Sequence, residues 1–434
     1  EDEITCSAVL DDDVPAAADP AETRLAIALA ALERGPVHLN IPLRKPLDPP
    51  QARSRPEPET RRVFASQPTL SPAALDRLRR SAEQAKRPVI IDGPSFAPWD
   101  SQRSSAAAAL AEATGWPLVA DVLSTSRTHA ASVPHADLLL RSERVRQALR
   151  PDFALWFGRA PISKWVLTWL AESGATAFAI NPAAQWTDPS HTVAAVMQGR
   201  AEGVLALRDE LPRASTAWQA AWRTTSSALQ PVVASATTPM DWDGAVVRHA
   251  LQAWKGRWAF VGNSLSIRDA DALLHRSQAR MLCNRGANGI DGTIATAWGH
   301  AWAHDEPGLV VLGDVTFEHD VGSLHQLPYD RPLTIVVVDN GGGRIFEQLP
   351  IRSQPGFREV FVTPSERSAV KTGQAAGLEA QDLQGREALQ AAIAEAAGSR
   401  RPRVIRVQVD AEHSRQRRAA MVADCVAATE DALS

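Results

Sequence analysis

Two polar residues, Asp314 and Asn340, close two apolar runs, GLVVLG and LTIVVVD, and stand 340 − 314 = 26 residues apart. Glycine stands before the aspartate at 313 and after the asparagine at 341, 342 and 343. A carboxylate, an amide oxygen and a main-chain carbonyl are hard oxygen donors. Mg²⁺ prefers such a set when phosphate oxygens and water complete its shell. The glycines let a diphosphate approach the backbone closely. The plainer alternative is a β-α-β unit that ends in an Asp helix cap and a glycine-rich turn.

The elements that must position these groups are two buried strands, 309–312 and 333–338, joined by a helical crossover. Twenty-six residues is about what one crossover between neighbouring parallel strands needs, so the two side chains are expected to reach one point. Open α/β sheets bind ligands at the carboxyl ends of their strands. A second candidate stretch is NRGANGIDGTIATAWG, 284–299. Gly286 and Gly289 permit a bend after a strand, and Asp291 is placed to cap the helix that follows. Ile290 is left projecting from the bend, either as an apolar wedge under a ligand or packed inward. Arg268 and Arg285 follow strands expected to end at the same edge. Two arginines at one mouth suit a substrate with more than one carboxylate, although each alone is equally a surface residue. Lys164 lies at a strand-to-helix junction, as a ligand contact or a solvated first-turn lysine. Trp165 and Trp169, at i and i+4, read as core-facing.

The 434 residues, 44% hydrophobic, suffice for two or three domains. A net charge of −4 with scattered arginines gives no footprint for nucleic acid. No apolar run approaches the roughly 20 residues of a membrane span, and the acidic start EDEITCSAVLDDD is unlike a signal peptide, so a cytoplasmic protein is expected. Cys6, Cys283 and Cys425 have no CxxC spacing and read as reduced thiols.

The fold expected is α/β, with doubly wound, mostly parallel sheets. Residues 1–50 hold one helical pattern at 22–34 and a strand in GPVHLNIPLRKPL, too little for a core, and read as the tail of a domain. Residues 51–68 read as an extended linker. Residues 69–215 form a central domain with strands at 87–92, 116–124, 152–158 and 175–181, between helices at 73–84 and 102–114. It lacks GxGxxG, so no dinucleotide site is expected there. Between 212 and 240 a helical stretch comes first, then a Ser-, Ala-, Thr- and Pro-rich connection that reads as a second linker, bounded at 216–240. The last domain, 241–434, opens with a helix at 244–254 and a strand at 257–263, and closes with a strand at 402–410.

GDVTFEHDVGSL, VVVDNGGGRIFEQLP, VGNSLSIRDAD and CNRGANGIDGTIATA together resemble the thiamine diphosphate-dependent enzymes. Within them they are most similar to the 2-succinyl-5-enolpyruvyl-6-hydroxy-3-cyclohexene-1-carboxylate synthases of menaquinone biosynthesis. That resemblance implies a thiamine diphosphate-binding fold, with 241–434 as the diphosphate-binding domain and 1–50 as the end of a pyrimidine-binding domain. It implies decarboxylation of 2-oxoglutarate and addition of the succinyl carbanion equivalent to isochorismate, in a homodimer or homotetramer. Mg²⁺, with Mn²⁺ as an alternative, would be held by Asp314, Asn340 and the carbonyl of Gly342. The cofactor would be met by Asn284, Gly286, Gly289 and Ile290, the last as the wedge. Further contacts would come from Gly313, Val315, Ile345 and Phe346. Ser264, Arg268, Arg285 and Lys164 would hold substrate carboxylates. Departures from the pattern are Trp165, Asp339 and Ser365. The activating glutamate of the pyrimidine-binding domain has no counterpart, so an incomplete or trans-dependent form is expected. Another 2-oxo acid carboligase, or a non-catalytic cofactor-binding scaffold, are the alternatives.

Overall fold

The computed structural model describes residues 4–7, 37–40, 68–95, 101–276, 278–326, 332–399 and 401–434. The chain divides after Pro68 into two units, each taken by itself. In the first, β1 (Ile4–Ser7) and β2 (Val37–Asn40) pair in parallel. β2 lies in the strand expected from GPVHLN, whereas the helix expected at 22–34 and all but the last residue of the linker expected at 51–68 lie outside the described residues.

The second unit contains two parallel sheets. The first holds β3 (Pro88–Asp92), β4 (Leu118–Ala120), β5 (Phe153–Phe157), β6 (Thr176–Asn181) and β7 (Val193–Gln198), in the order β4-β3-β5-β6-β7. Strands β3, β4 and β5 are buried throughout, as parallel strands covered by helices on both faces must be. Among the covering helices are α1 (Pro72–Glu83), α2 (Ser101–Thr114) and α3 (Lys164–Ser173). The strand expected over 116–124 is confined to three residues. Beyond Ala120 the chain turns, and Asp121 accepts the Leu123 N–H at 2.8 Å, which bends the backbone out of the sheet.

This sheet winds outward in both directions from the β3–β5 pair, where a doubly wound fold has its ligand crevice. Arg103 fills that crevice. Its side chain is 4% exposed, pairs with Asp92 at 2.9 Å and donates to the Gly93 carbonyl at 3.1 Å. A Cβ on Gly158 would stand 2.0 Å from its Nη1, so only glycine fits there.

The helical stretch expected between 212 and 240 is α4 (Thr216–Thr237), a 22-residue helix that takes up nearly all of the 216–240 expected as a linker. Its Trp218, Trp222, Leu229 and Val233 are buried in the core of the first sheet, so an apolar stripe outweighs a composition rich in Ser, Ala and Thr. Next come α5 (Asp243–Ala253), β8 (Trp258–Val261), α6 (Leu265–Leu273), β9 (Arg280–Leu282), α7 (Thr293–His304), β10 (Gly308–Gly313) and α8 (Asp314–His319). The chain ends with β11 (Leu333–Asp339), β12 (Glu379–Asp382), α9 (Arg386–Ala396), β13 (Arg403–Gln408) and α10 (Ala411–Asp431). The second sheet has the order β12-β13-β11-β10-β8-β9, all parallel. Alternate side chains of β10 serve the two faces: Leu309 and Val311 pack with α5 and α9, and Val310 and Leu312 pack with α7 and α8. The order reverses between β8 and β10, which puts the crevice beside Asp314.

The two sheets meet where the turn after β4 abuts α6. Arg127, 5% exposed, donates from Nη1 to Ala120 O and from Nη2 to Asp271 O, both at 2.6 Å, and to Leu274 O at 2.8 Å. The Asp271 and Leu274 carbonyls stand at the C-terminal end of α6, where the helix cannot satisfy them by itself. His135 Nδ1 lies 2.8 Å from Ala272 O. Burial pushes its pKa down to about 3, so the neutral ring donates through Nδ1. Burial, then neighbouring Asp121, pushes Asp271 up from 3.8 to about 8. The folded protein therefore holds this proton more tightly than the unfolded chain. The stabilisation is complete below pH 3.8 and is lost as pH rises to about 8. Asp271→Asn keeps the acceptor for the Val122 N–H. It is expected to flatten that decline, seen as urea midpoints at about pH 6 and about pH 9 that differ less than in the wild type.

Among the described residues no helix is long and apolar enough to cross a membrane. Cys283 and Cys425 are free thiols, and burial pushes each up to about 12, so both stay protonated.

Candidate functional site

β10 and β11 are neighbours in register, Gly313 opposite Val338. Asp314 begins α8, and its Oδ2 accepts the Gly342 N–H at 2.6 Å. Gly342 is buried with φ +124°, and a Cβ there would stand 2.3 Å from the Val362 carbonyl, so the turn requires glycine. Burial, then contact with Asp339, pushes the Asp314 carboxyl up to about 7.

Asp339, not Asn340, is the residue beside Asp314. Asp339 also takes the Gly341 N–H at 3.2 Å and pairs with Arg406 at 3.0 Å. Asn340, 8% exposed, donates from Nδ2 to Asp243 Oδ2 at 3.1 Å, which leaves its amide oxygen free of that contact. The strands that carry Asp314 and Asn340 adjoin, as expected, and among the described residues no hydrogen bond joins the two side chains. Among the described residues no group of three or more His, Cys, Asp or Glu could hold a metal ion. The oxygen set nevertheless suits a divalent cation with a diphosphate. Two carboxyls in contact share a charge that a cation would neutralise, and the Gly342 main chain lies on the same turn.

Ile345 and Phe346 follow in a 3₁₀ turn, Arg344–Gln348. Ile345 is half-buried, and Phe346, 37% exposed, meets Phe361 edge-on at 5.5 Å. Gly313 and Val315 flank Asp314 and are half-buried.

The loop after β9 is organised by Asn263, which the sequence reading did not single out. Asn263 is 3% exposed, and its Nδ2 donates to Asn284 O at 2.8 Å and to Gly289 O at 2.7 Å. Its Oδ1 accepts from Arg285 Nη1 at 3.0 Å. One amide thus ties together Asn284, Arg285 and Gly289, and with them the bend that bears Gly286 and Ile290. Its sequence signal was its place directly after β8, beside the crevice. Asn263→Ala is expected to cost roughly 2 kcal/mol and to speed amide exchange in 284–290. Unchanged exchange there would count against the clip.

Asp291 does not cap α7, as had been expected. Asp320 does so from across the crossover, accepting the Ile294 and Ala295 N–H groups at 2.6 and 3.1 Å, while Gly292 at φ +64° forms the entry.

Ser264 precedes α6 with φ +71°, an uncommon conformation for a non-glycine residue. Arg268 projects from α6. Burial, then the charge of nearby Arg285, lowers its pKa from the ordinary arginine value, a cost that an anionic ligand would relieve. Lys164 is the first residue of α3 and lies 4.9 Å from the centre of the Trp165 ring. Lys164, Trp165, Arg268 and Arg418 line one cleft of about 130 Å³. Lys164 and Arg268, read separately in the sequence, are thereby brought together. A larger cavity of about 200 Å³, between Leu123, Arg127, Leu274 and Met281, holds none of the residues singled out.

Comparison with known proteins agrees with this geometry. Residues 64–259 match the middle domain of thiamine pyrophosphate enzymes, and 268–407 match their C-terminal TPP binding domain. A benzoylformate decarboxylase from Polynucleobacter necessarius superposes with a TM-score of 0.64 at 16% identity, covering 94% of this chain and 75% of that one, which speaks for the fold alone. The 2-succinyl-5-enolpyruvyl-6-hydroxy-3-cyclohexene-1-carboxylate synthase of Thermosynechococcus vestitus is 33% identical over 76% of this chain and 60% of its own length. The chain therefore spans less than two thirds of that relative. The synthase of the same name from a Roseiflexus species is 30% identical over 92% of this chain and 72% of its own length. With both domain matches in order along the sequence, and a relative matched over most of both lengths, the chain belongs to the 2-succinyl-5-enolpyruvyl-6-hydroxy-3-cyclohexene-1-carboxylate synthase family of thiamine pyrophosphate enzymes.

Proposed function

We propose that the chain binds thiamine diphosphate through Mg²⁺, with Mn²⁺ as an alternative. The reaction it serves is decarboxylation of 2-oxoglutarate and transfer of the succinyl unit to isochorismate, in a homodimer or homotetramer. The observation that carries the reading is the 2.6 Å bond between Asp314 and the Gly342 N–H, which joins the GD and NGGG segments at adjoining strand ends. Asp314 would bind the cation, together with the Gly342 carbonyl and the amide oxygen of Asn340.

The bound cofactor supplies an electron sink for the carbon freed when a 2-oxo acid loses CO₂. The chain's own residues position and exclude. Gly286 and Gly289 admit the cofactor to the backbone, and Ile290, Ile345 and Phe346 present apolar surface that keeps water from the reacting carbon. Ser264 and Arg285 would hold the carboxylates of one substrate on the cofactor side. Arg268 and Lys164, across one cleft, would orient the carboxylates of the other.

Calorimetric titration of the chain with thiamine diphosphate, with and without Mg²⁺, tests the reading. Heat that depends on Mg²⁺ is expected, and a metal-independent or absent signal overturns it. CO₂ release from 2-oxoglutarate against pyruvate by the full-length protein separates this activity from that of another 2-oxo acid carboligase.

A further inference from the structure

Arg418 lies on α10, 418 − 340 = 78 residues beyond Asn340, yet its guanidinium stands between two of the site's parts. Nη1 and Nη2 both bond the Asp269 carboxylate, Nη2 to Oδ2 at 2.8 Å. Nη2 also donates to Asp243 Oδ1 at 2.7 Å. The other oxygen of Asp243 receives the Asn340 amide at 3.1 Å. Asp269 and Asp243 are 1% and 4% exposed, and the ring of Trp242 lies 5.2 Å from the guanidinium carbon. Asp269 adjoins Arg268 on α6, and Arg418 itself lines the cleft that holds Arg268 and Lys164. A continuous chain of charged hydrogen bonds therefore runs from α6 through Asp269, Arg418 and Asp243 to Asn340.

An ionised carboxylate only accepts hydrogen bonds, so Asp243 must face the NH₂ end of the Asn340 amide. The oxygen end is then the one left for a cation, and cations take oxygen, not an amide nitrogen. Asp243 can impose this orientation only while it is itself held: its Oδ1 accepts the adjacent Gly244 N–H at 2.8 Å and, from α10, Arg418 Nη2 at 2.7 Å. The same guanidinium fixes α6, and with it Arg268.

We propose that Arg418 is a positioning residue that sets the orientation of the Asn340 amide through Asp243 and ties it, through Asp269, to the helix that carries Arg268. The inference rests on the proposed cofactor reading for what Asn340 faces, although not for the hydrogen-bond chain itself. Groups that orient a metal ligand from behind are typically worth about 10–100-fold in metal affinity. Arg418→Met removes both arms of the fork, and Arg418→Lys keeps the charge with one donor head. Arg403→Lys is the control, because Arg403 is a buried ion-pairing arginine at the opposite end of the same sheet, 3.1 Å from Glu395.

Two readouts on the full chain decide the matter. One is the affinity for thiamine diphosphate at saturating Mg²⁺, by calorimetry. The other is the position and hydrogen exchange of the Asn340 side-chain NH₂ resonances, assigned by their loss in Asn340→Asp. Expected for Arg418→Lys and Arg418→Met are a moved, faster-exchanging Asn340 NH₂ pair and binding weakened by about 10-fold or more. Arg403→Lys should alter neither, even where it lowers the melting temperature. An unmoved Asn340 resonance in folded Arg418→Lys overturns the proposal whatever the affinity does, and so does an equal response in Arg403→Lys. A moved resonance with unchanged binding overturns the link to the cofactor. If the wild type shows no Mg²⁺-dependent binding, the proposed function fails, and the resonance alone still decides whether Arg418 orients Asn340.

Discussion

Asp314→Ala is expected to weaken Mg²⁺-dependent thiamine diphosphate binding by at least about 100-fold, about 2.7 kcal/mol. The carboxylate is both the charged oxygen offered to the cation and the acceptor that ties down the Gly342 N–H. Its loss removes a ligand and frees the turn at once. The same group predicts a pH dependence. With the free carboxyl at about 7, raised by burial and then by Asp339, the cation must displace a proton below that pH, so affinity falls as pH falls. Asp339→Asn removes the second carboxyl and should move the midpoint of that fall to lower pH, with fewer protons released on binding. Calorimetry in two buffers of different ionisation heat measures this, and an unmoved midpoint would rule out the contact as its cause.

The second large effect belongs to the junction between the sheets. Arg127→Met would leave the Ala120, Asp271 and Leu274 carbonyls without their donor and would remove the cation from beside the Asp271 side chain, 3.6 Å away. Breaking a buried charged network by deleting one partner costs roughly 3–5 kcal/mol. The two sheets would then be expected to melt as separate steps, seen as a split calorimetric endotherm where the wild type gives one. A single transition with its midpoint unchanged would show the junction to be passive.

Much of the second sheet was legible because its strands are buried on both faces and read as unbroken apolar runs. GLVVLG and LTIVVVD gave β10 and β11 to within a residue or two. Two edge strands were not read. β12, EAQD, has no apolar residue but one alanine and so lacks the run or alternation by which strands are recognised, whereas β7, VAAVMQ, is a short apolar run that was passed over. Capping failed for a related reason. The carboxylate that serves α7 is Asp320, 26 residues beyond Ile294, and no local spacing rule reaches that far. Asn263 and Arg418 were missed likewise, since an amide or a guanidinium announces its role only once the fold surrounds it. Asp339 was read only as a departure from the pattern, because its contact with Asp314 exists only once the two strand ends are side by side.

Of two sheets wound alike, one carries Asp314 and the Gly342 turn at its reversal point, and in the other the Arg103 guanidinium stoppers it. Winding therefore creates two comparable sockets, and the side chains set at each decide what it can hold. The stoppered sheet is free to serve as a stiff abutment, against which α6 and its arginine are braced.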